Sequence, residues 1–407
     1  MSIKALNILY INHYDSSEDA AAISSYRIIA GLASIGHKVI VLTHDPYPNN
    51  ETEFSHVGLR LPRAFEGSRF LKFLRCTICY LFVFLAGLKL RRKEKIDCIF
   101  SQHHNIHFAT LTASILSAIL NVPYVVKIQN GFPSRVGGLF LRTYKGHFMK
   151  ALNRYALKRA KHILALSPEL KDQLMKVFGV VDSQLFVIPN TVETVSVKQK
   201  EIKQMKRRLG LRDNRILIFV GSTKRRGVED LIKAVPRIVS EDPDARALLV
   251  GPSSDYYALK RLAESSGGEE YIRFIGPIRH SVVPLYISMC DVAIGPLISF
   301  SYTTGAVPRK VLEYMACGKP VIACHGSVSQ DLLVDNYNGI LVKSGDINEL
   351  SSAVIRLLKN GKFAKRIGSN AKKHVSKFYS DGFLVEKLIT LTNMIWEENL
   401  VTEVHKA

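Results

Sequence analysis

Short, continuous apolar runs alternate along this chain with longer stretches of helical periodicity. In the first half the runs are ALNILYIN (5–12), KVIVLT (38–43), IDCIFSQ (96–102), the stretch 123–128, HILALS (162–167) and LFVIPN (185–190). In the second half they are RILIFVG (215–221), RALLVG (246–251), YIRFIG (271–276), VAIGPL (292–297), KPVIAC (319–324) and NGILV (338–342). Runs of this length that are apolar on both faces predict buried strands of parallel sheets. Helices are predicted between them at 23–35, with Ile28, Leu32 and Ile35 on one face, and at 70–90, 109–120, 198–208, 227–239, 283–290, 348–358, 362–378 and 383–400. SSEDAAA (16–22) reads as a small, polar loop. Strand–helix alternation of this kind predicts doubly wound α/β domains.

A length of 407 residues is too great for one ordinary core and predicts two domains. We place them at 1–195 and 196–380, separated by the Lys-rich segment before Leu209-Gly210-Leu211, with 381–407 as a terminal helix crossing back to the first domain. The charge balance changes the picture more than the composition does. Fifty-six Lys and Arg against 35 Asp and Glu give a net charge of +21. That surplus calls for an acidic partner: anionic lipid, nucleic acid or a phosphorylated substrate. No aromatic-studded basic motif accompanies it, which argues against nucleic acid. Cys98, Cys290, Cys317 and Cys324 lie in or beside apolar runs and read as buried free thiols. Cys76-x-x-Cys79 lacks a second pair at zinc spacing, so no metal site is expected. The N-terminus reads as a strand rather than a signal peptide, which predicts a cytoplasmic protein.

The stretch 292–342 carries the densest chemistry. Pro308 opens a helix, as Pro does where its missing N–H has no partner to lose. Gly318 and Pro320 stop it. A loop feeding a helix start at the strand ends of a parallel sheet favours an anion, through free backbone N–H groups and the helix dipole. The run Pro308-Arg309-Lys310-Val311-Leu312-Glu313-Tyr314-Met315-Ala316-Cys317-Gly318-Lys319-Pro320-Val321-Ile322-Ala323 resembles the donor-site signature of glycosyltransferase family 4. Asn338-Gly339-Ile340-Leu341-Val342 is similar to the strand that follows it in that family. The resemblance implies a GT-B fold, with two Rossmann-like doubly wound domains facing across a cleft. It implies a retaining, metal-independent transferase with no cofactor beyond its nucleotide-sugar substrate, of UDP or GDP type.

Residue by residue, the resemblance gives Glu313 the donor ribose. It gives Thr304, Gly305, Ala306 and Val307 amide contacts to sugar or phosphate. Arg226 and Lys310 become counter-ions of the diphosphate, with Lys310 alternatively a surface residue of its helix. Ser222 stands where the family carries Arg, and Lys224 and Arg225 are candidates for that second charge. The loop Pro277-Ile278-Arg279-His280 corresponds to one that contacts the base. Two departures stand out. The family's first Glu, eight positions before Glu313, is Gly305 here. The family's His after the 123–128 strand is replaced by Gln129 or Asn130, so His103 and His104 are the fallback catalytic candidates. Ala20-Ala21-Ala22 replaces a Gly-Gly pair, and His37 reads as a turn residue.

The helix at 70–90 has an apolar part of thirteen residues, from Cys76 to Leu88, flanked by Lys72 and Arg75 and by Lys89 to Lys93. A span needs about 20 residues. We read it as an interfacial helix, with a core helix and a span as alternatives. Between Arg142 and Lys161 there are seven Lys or Arg and no acid, which extends a basic footprint or forms a solvated helix face. The expected activity is transfer of a hexose from a nucleotide sugar to a glycan or lipid-linked acceptor, in cell-surface polysaccharide, lipopolysaccharide or capsule biosynthesis, peripherally at the inner face of the plasma membrane. The alternatives are a nucleotide-sugar epimerase on the same fold and a non-catalytic GT-B subunit. The sugar, base, acceptor and oligomeric state are not legible.

Overall fold

The computed structural model describes residues 4–12, 20–43, 55–58, 69–103, 108–129, 144–194, 196–223, 226–299 and 305–404. The chain divides into two compact units, Met1–Pro189 with Asp381–Ala407, and Asn190–Ser380.

The first unit runs β1 (Asn7–Ile11), α1 (Ala20–Ser34), β2 (Lys38–Thr43), β3 (Ser55–Gly58), α2 (Arg69–Arg91), β4 (Cys98–His103), α3 (Phe108–Leu120), β5 (Tyr124–Ile128), α4 (Tyr144–Arg159), β6 (His162–Ala165), α5 (Pro168–Phe178) and β7 (Leu185–Val187). Its sheet has the order β3-β2-β1-β4-β5-β6-β7, every pair parallel. The second unit runs α6 (Gln199–Arg208), β8 (Arg215–Val220), α7 (Val228–Glu241), β9 (Ala245–Val250), α8 (Tyr256–Ser265), β10 (Ile272–Gly276), α9 (Val283–Met289), β11 (Val292–Ile294), α10 (Arg309–Ala316), β12 (Val321–Cys324), β13 (Ile340–Val342), α11 (Ile347–Lys359) and α12 (Gly361–Phe378). Its sheet is also wholly parallel, in the order β10-β9-β8-β11-β12-β13. Both sheets reverse direction beside their first strand, between β1 and β4 and between β8 and β11. In sheets of this kind the carboxyl ends at such a reversal form the binding crevice.

The expected runs are strands because both faces are covered: all five residues of β5 are buried, as are five of the six in β8. Helix α7 buries Leu231, Ala234, Val235 and Ile238 on the face the periodicity assigns. Some boundaries differ. Ala20-Ala21-Ala22 is not loop but the opening of α1, in keeping with alanine's helix propensity. The last helix, α13 (Asp381–Val404), packs in the first unit. Leu384, Leu388, Leu391 and Ile395 are buried in that unit's core. A Cβ at Gly31 would lie 2.9 Å from Leu388 Cδ1, so α1 and α13 approach closely. Arg27 Nη1 reaches both carboxylate oxygens of Asp381 at 2.5 Å, and Lys4 Nζ lies 4.9 Å over the Trp396 ring. Cys98, Cys290 and Cys324 are buried free thiols and Cys317 is half-buried. Among the described residues no helix is long and apolar enough to cross a membrane.

Candidate functional site

The second sheet's reversal point is built by two loops that meet between β8 and β11. Strand β8 ends at Val220, and Gly221 follows with φ +107. Gly221 is also the close neighbour of Gly251, where a Cβ would lie 2.6 Å from the Gly221 carbonyl oxygen. Thr223 then donates to Asp255 Oδ1 at 2.6 Å, and the loop closes at Arg226 and Gly227. The Arg226 carbonyl accepts from the Leu297 amide at 2.9 Å. At Gly227 a Cβ would sit 2.8 Å from that of Leu297. The two loops are thus tied at their bases. On the facing side Pro308 occupies the N-cap position of α10. Buried Tyr314 anchors the helix to the end of β8, accepting the Val220 N–H at 2.7 Å.

Glu313 sits one turn inside α10. Its Oε1 accepts from Arg309 Nε at 2.8 Å and bonds His280 Nε2 at 2.9 Å. Its side chain is only 12% exposed. Burial works against the charged form, but the His280 hydrogen bond and the Arg309 charge outweigh it and hold the carboxyl below the usual range. Both bonds fall on Oε1, and Oε2 makes no hydrogen bond to the described residues. The carboxylate is therefore fixed, ionised and still able to accept. His280 reaches it from the loop after β10, where Ile278 is half-buried and Arg279 exposed.

Lys310 takes an unusual position. Its Nζ is buried without a hydrogen-bond partner among the described residues and lies 3.8 Å over the centroid of the Phe219 ring. A Cβ at Gly221 would be 3.2 Å from that nitrogen. Lys310 is thus not a solvated surface residue. Before α10, Gly305 is buried with φ +72. The carbonyl of Ala306 accepts from the Ser329 amide at 2.7 Å, and that of Val307 accepts from Asn190 Nδ2 at 3.2 Å. These bonds fix the loop through its carbonyls. The amides of Gly305, Ala306 and Val307 donate to no group among the described residues.

The structure thus brings together Glu313, Lys310 and Arg226, with the 305–307 backbone leading into the same helix and Ile278 two residues before His280 in the loop that reaches Glu313. Thr304, Lys224, Arg225 and His104 lie outside the described residues. His103 is the last residue of β4, in register with Ile128 of β5, at the reversal point of the first sheet. Nearby in that sheet, Lys127 is buried with Nζ 2.9 Å from Ser24 Oγ, and Gln129 is buried, its Nε2 without a partner among the described residues. Sequence reasoning missed the pairing of Glu313 with Arg309 and His280. The Arg309–Glu313 spacing of four was a legible signal; the His280 contact, 33 residues away in sequence, had none.

Other motif residues hold the scaffold. Lys319 Nζ donates to the carbonyls of Ser288 and Cys290 at 2.8 and 2.7 Å, capping the end of α9. Asn338 is fully buried and holds its loop through Val334 and Leu332.

Comparison with known proteins adds the following. Residues 201–374 match the family described as glycosyl transferases group 1. Residues 21–196 match the one described as glycosyltransferase family 4. An uncharacterised glycosyltransferase of Methanocaldococcus jannaschii, MJ1607, is 25% identical over 75% of this chain and 77% of its own. The alpha-monoglucosyldiacylglycerol synthase of Acholeplasma laidlawii is 22% identical over 84% of this chain and 85% of its own. Anabaena HepE, solved in complex with UDP, superposes with a TM-score of 0.70 at 17% identity, over 96% of this chain and all of its own.

Proposed function

The chain belongs to the group 1, family 4 glycosyltransferases of GT-B fold, and on that premise we propose that it moves a sugar from a nucleotide-sugar donor to a lipid-linked or glycan acceptor, with retention of configuration and without a metal. One observation carries the donor assignment: Glu313 is buried, ionised and held through Oε1, with Oε2 left to accept. A carboxylate fixed in this way suits a vicinal diol such as ribose. The base would lie along the loop of Ile278, and the diphosphate at Gly221, Arg226 and the 305–307 amides. Fixed cations and amide dipoles there would stabilise the charge that develops on the diphosphate as the glycosidic bond breaks. The leaving diphosphate would take the acceptor proton. HepE, of the same fold, binds UDP, which supports a nucleotide donor.

The acceptor reading rests on the first unit. Helix α2 exposes Leu81, Phe82 and Leu85, at 59, 46 and 50%. It packs on α3 at Gly87, where a Cβ would lie 2.5 Å from Leu116 Cδ2, and α3 exposes Ile115 and Ile119. Lys89, Arg91, Arg92 and Lys93 follow at the end of α2. An apolar strip ending in cations suits an anionic lipid surface. The name of the Acholeplasma relative gives a glucosylated diacylglycerol, a glycolipid, as its product. His103 and His104 remain the candidates on the acceptor side.

The test is release of nucleoside diphosphate from nucleotide sugars in the presence of a membrane lipid extract. Wild-type protein is expected to show acceptor-dependent turnover with one donor, and Glu313→Ala about 10- to 100-fold less, the loss of one well-placed charged contact. Turnover that ignores Glu313 contradicts the donor assignment. Release without any acceptor favours an epimerase-type reaction.

A further inference from the structure

Lys310 Nζ is a buried cation with no acceptor among the described residues. The face of the Phe219 ring, 3.8 Å away, offsets part of the hydration it gives up. Two charges face it. Arg226, from the β8–α7 loop, repels it, and Glu313, on α10, attracts it. Glu313 is already shared by Arg309 and His280. A protonated Lys310 therefore draws on a carboxylate that Arg309 and the His280 ring already hold. Burial, reinforced by Arg226, holds the ammonium well below the ordinary lysine range. The flank of Nζ toward Gly221 is kept free of any side chain: a Cβ there would lie 3.2 Å away, and φ +107 favours glycine. The unpartnered amides of 305–307 precede the same helix. Burial, the Arg226 charge and the lack of an acceptor among the described residues disfavour a second positive charge there unless an anion joins it, and the Phe219 ring and an already shared Glu313 offset only part of that cost.

Resting on the donor-site reading above, we propose that Lys310 is a proton-loaded anion clamp: a neutral amine in the free protein, it takes one proton from solvent when the donor's diphosphate enters beside Gly221 and Arg226. One proton passes from bulk water to Nζ, and none is exchanged with the sugar. The ammonium is then in place before the glycosidic bond breaks. The product nucleoside diphosphate carries more negative charge than the nucleotide sugar, so it holds that proton more firmly. The consequence is that nucleotide affinity falls as pH rises, whereas a permanently charged site would show no such dependence.

The experiment is isothermal titration of UDP and GDP in buffers of contrasting ionisation enthalpy, at about pH 8 to 9, above the terminal phosphate's own pKa of about 6. The wild-type protein is expected to take up a fraction of a proton on binding, with affinity falling up to about tenfold per pH unit. Lys310→Met is expected to bind at least about tenfold more weakly and to take up no proton. Lys310→Arg, permanently charged, is expected to bind without uptake and without the pH slope. Binding by the wild type without proton uptake overturns the proposal, as does equal uptake in Lys310→Met. If Lys310→Met fails to fold, Lys310→Arg decides alone, since uptake that persists in it excludes this lysine. Failure of the wild type to bind either nucleotide removes the donor-site reading itself, and the proposal with it. Binding that is lost in Glu313→Ala but is not proton-linked removes only the proposal.

Discussion

Gly305 stands eight residues before Glu313, where the family resemblance supplies an acid. Its φ of +72 lies in the region that costs a side chain about 1 kcal/mol. Gly305→Ala is therefore expected to lower stability by about that amount, and Gly305→Glu by more, without raising turnover; chemical denaturation and the release assay check both. A second residue-scale prediction concerns Lys127. Burial pushes its ammonium down to about 7, against about 10.4 in an unfolded chain. Between these values the unfolded state binds more protons, so stability rises with pH. Denaturation of wild type and Lys127→Met from pH 7 to 10 is expected to show the wild type gaining relative to the variant, by up to about 1.4 kcal/mol per unit; a constant difference contradicts it. Glu313 has the same sign in a lower window, because its folded value is also depressed. Its depressed carboxyl contributes stability above about pH 4.3 that is lost as pH falls through the lower folded value. At this scale the sequence showed which residues carry charge, but not which cations lack partners. Lys310 looked like either a counter-ion or a surface residue until its nitrogen was seen against Phe219.

Elements were legible where burial imposes a strong period. The strands of both sheets are short apolar runs because both faces are covered, and α7, α11 and α12 follow their apolar stripes. Elements with little burial were not. Helix α8 buries only Leu259 and Ala263, too sparse a stripe to read, and β3 is four residues, SHVG, without an apolar run. Helix α2 was legible as a helix, but which residues it exposes depends on α3. Its surface yields an element-scale prediction. Wild-type protein is expected to sediment with vesicles containing anionic phosphatidylglycerol and much less with neutral phosphatidylcholine. Leu81→Glu with Phe82→Glu is expected to abolish the sedimentation while leaving nucleotide binding intact. Equal binding to both vesicle types contradicts an anionic footprint.

Over the whole molecule, the division into two units follows from strand order, and each sheet's reversal point locates its loops. The return of α13 to the first unit follows from its apolar spacing: Leu384, Leu388, Leu391 and Ile395 recur on one face that needs a partner, and α1 supplies it at Gly31. Gly31→Leu is expected to lower the melting temperature of the first unit by forcing α13 away, and a melt followed by circular dichroism checks this. Whether the second unit holds a nucleotide sugar at α10 is decided by thermal shift of the whole chain with UDP, GDP, ADP and CMP, repeated on Glu313→Ala. One nucleotide is expected to raise the melting temperature of the wild type, with about 2.7 kcal/mol of stabilisation at a hundredfold excess over the dissociation constant, and the variant to lose the shift. No shift with any of the four, or a shift untouched by Glu313→Ala, would contradict it.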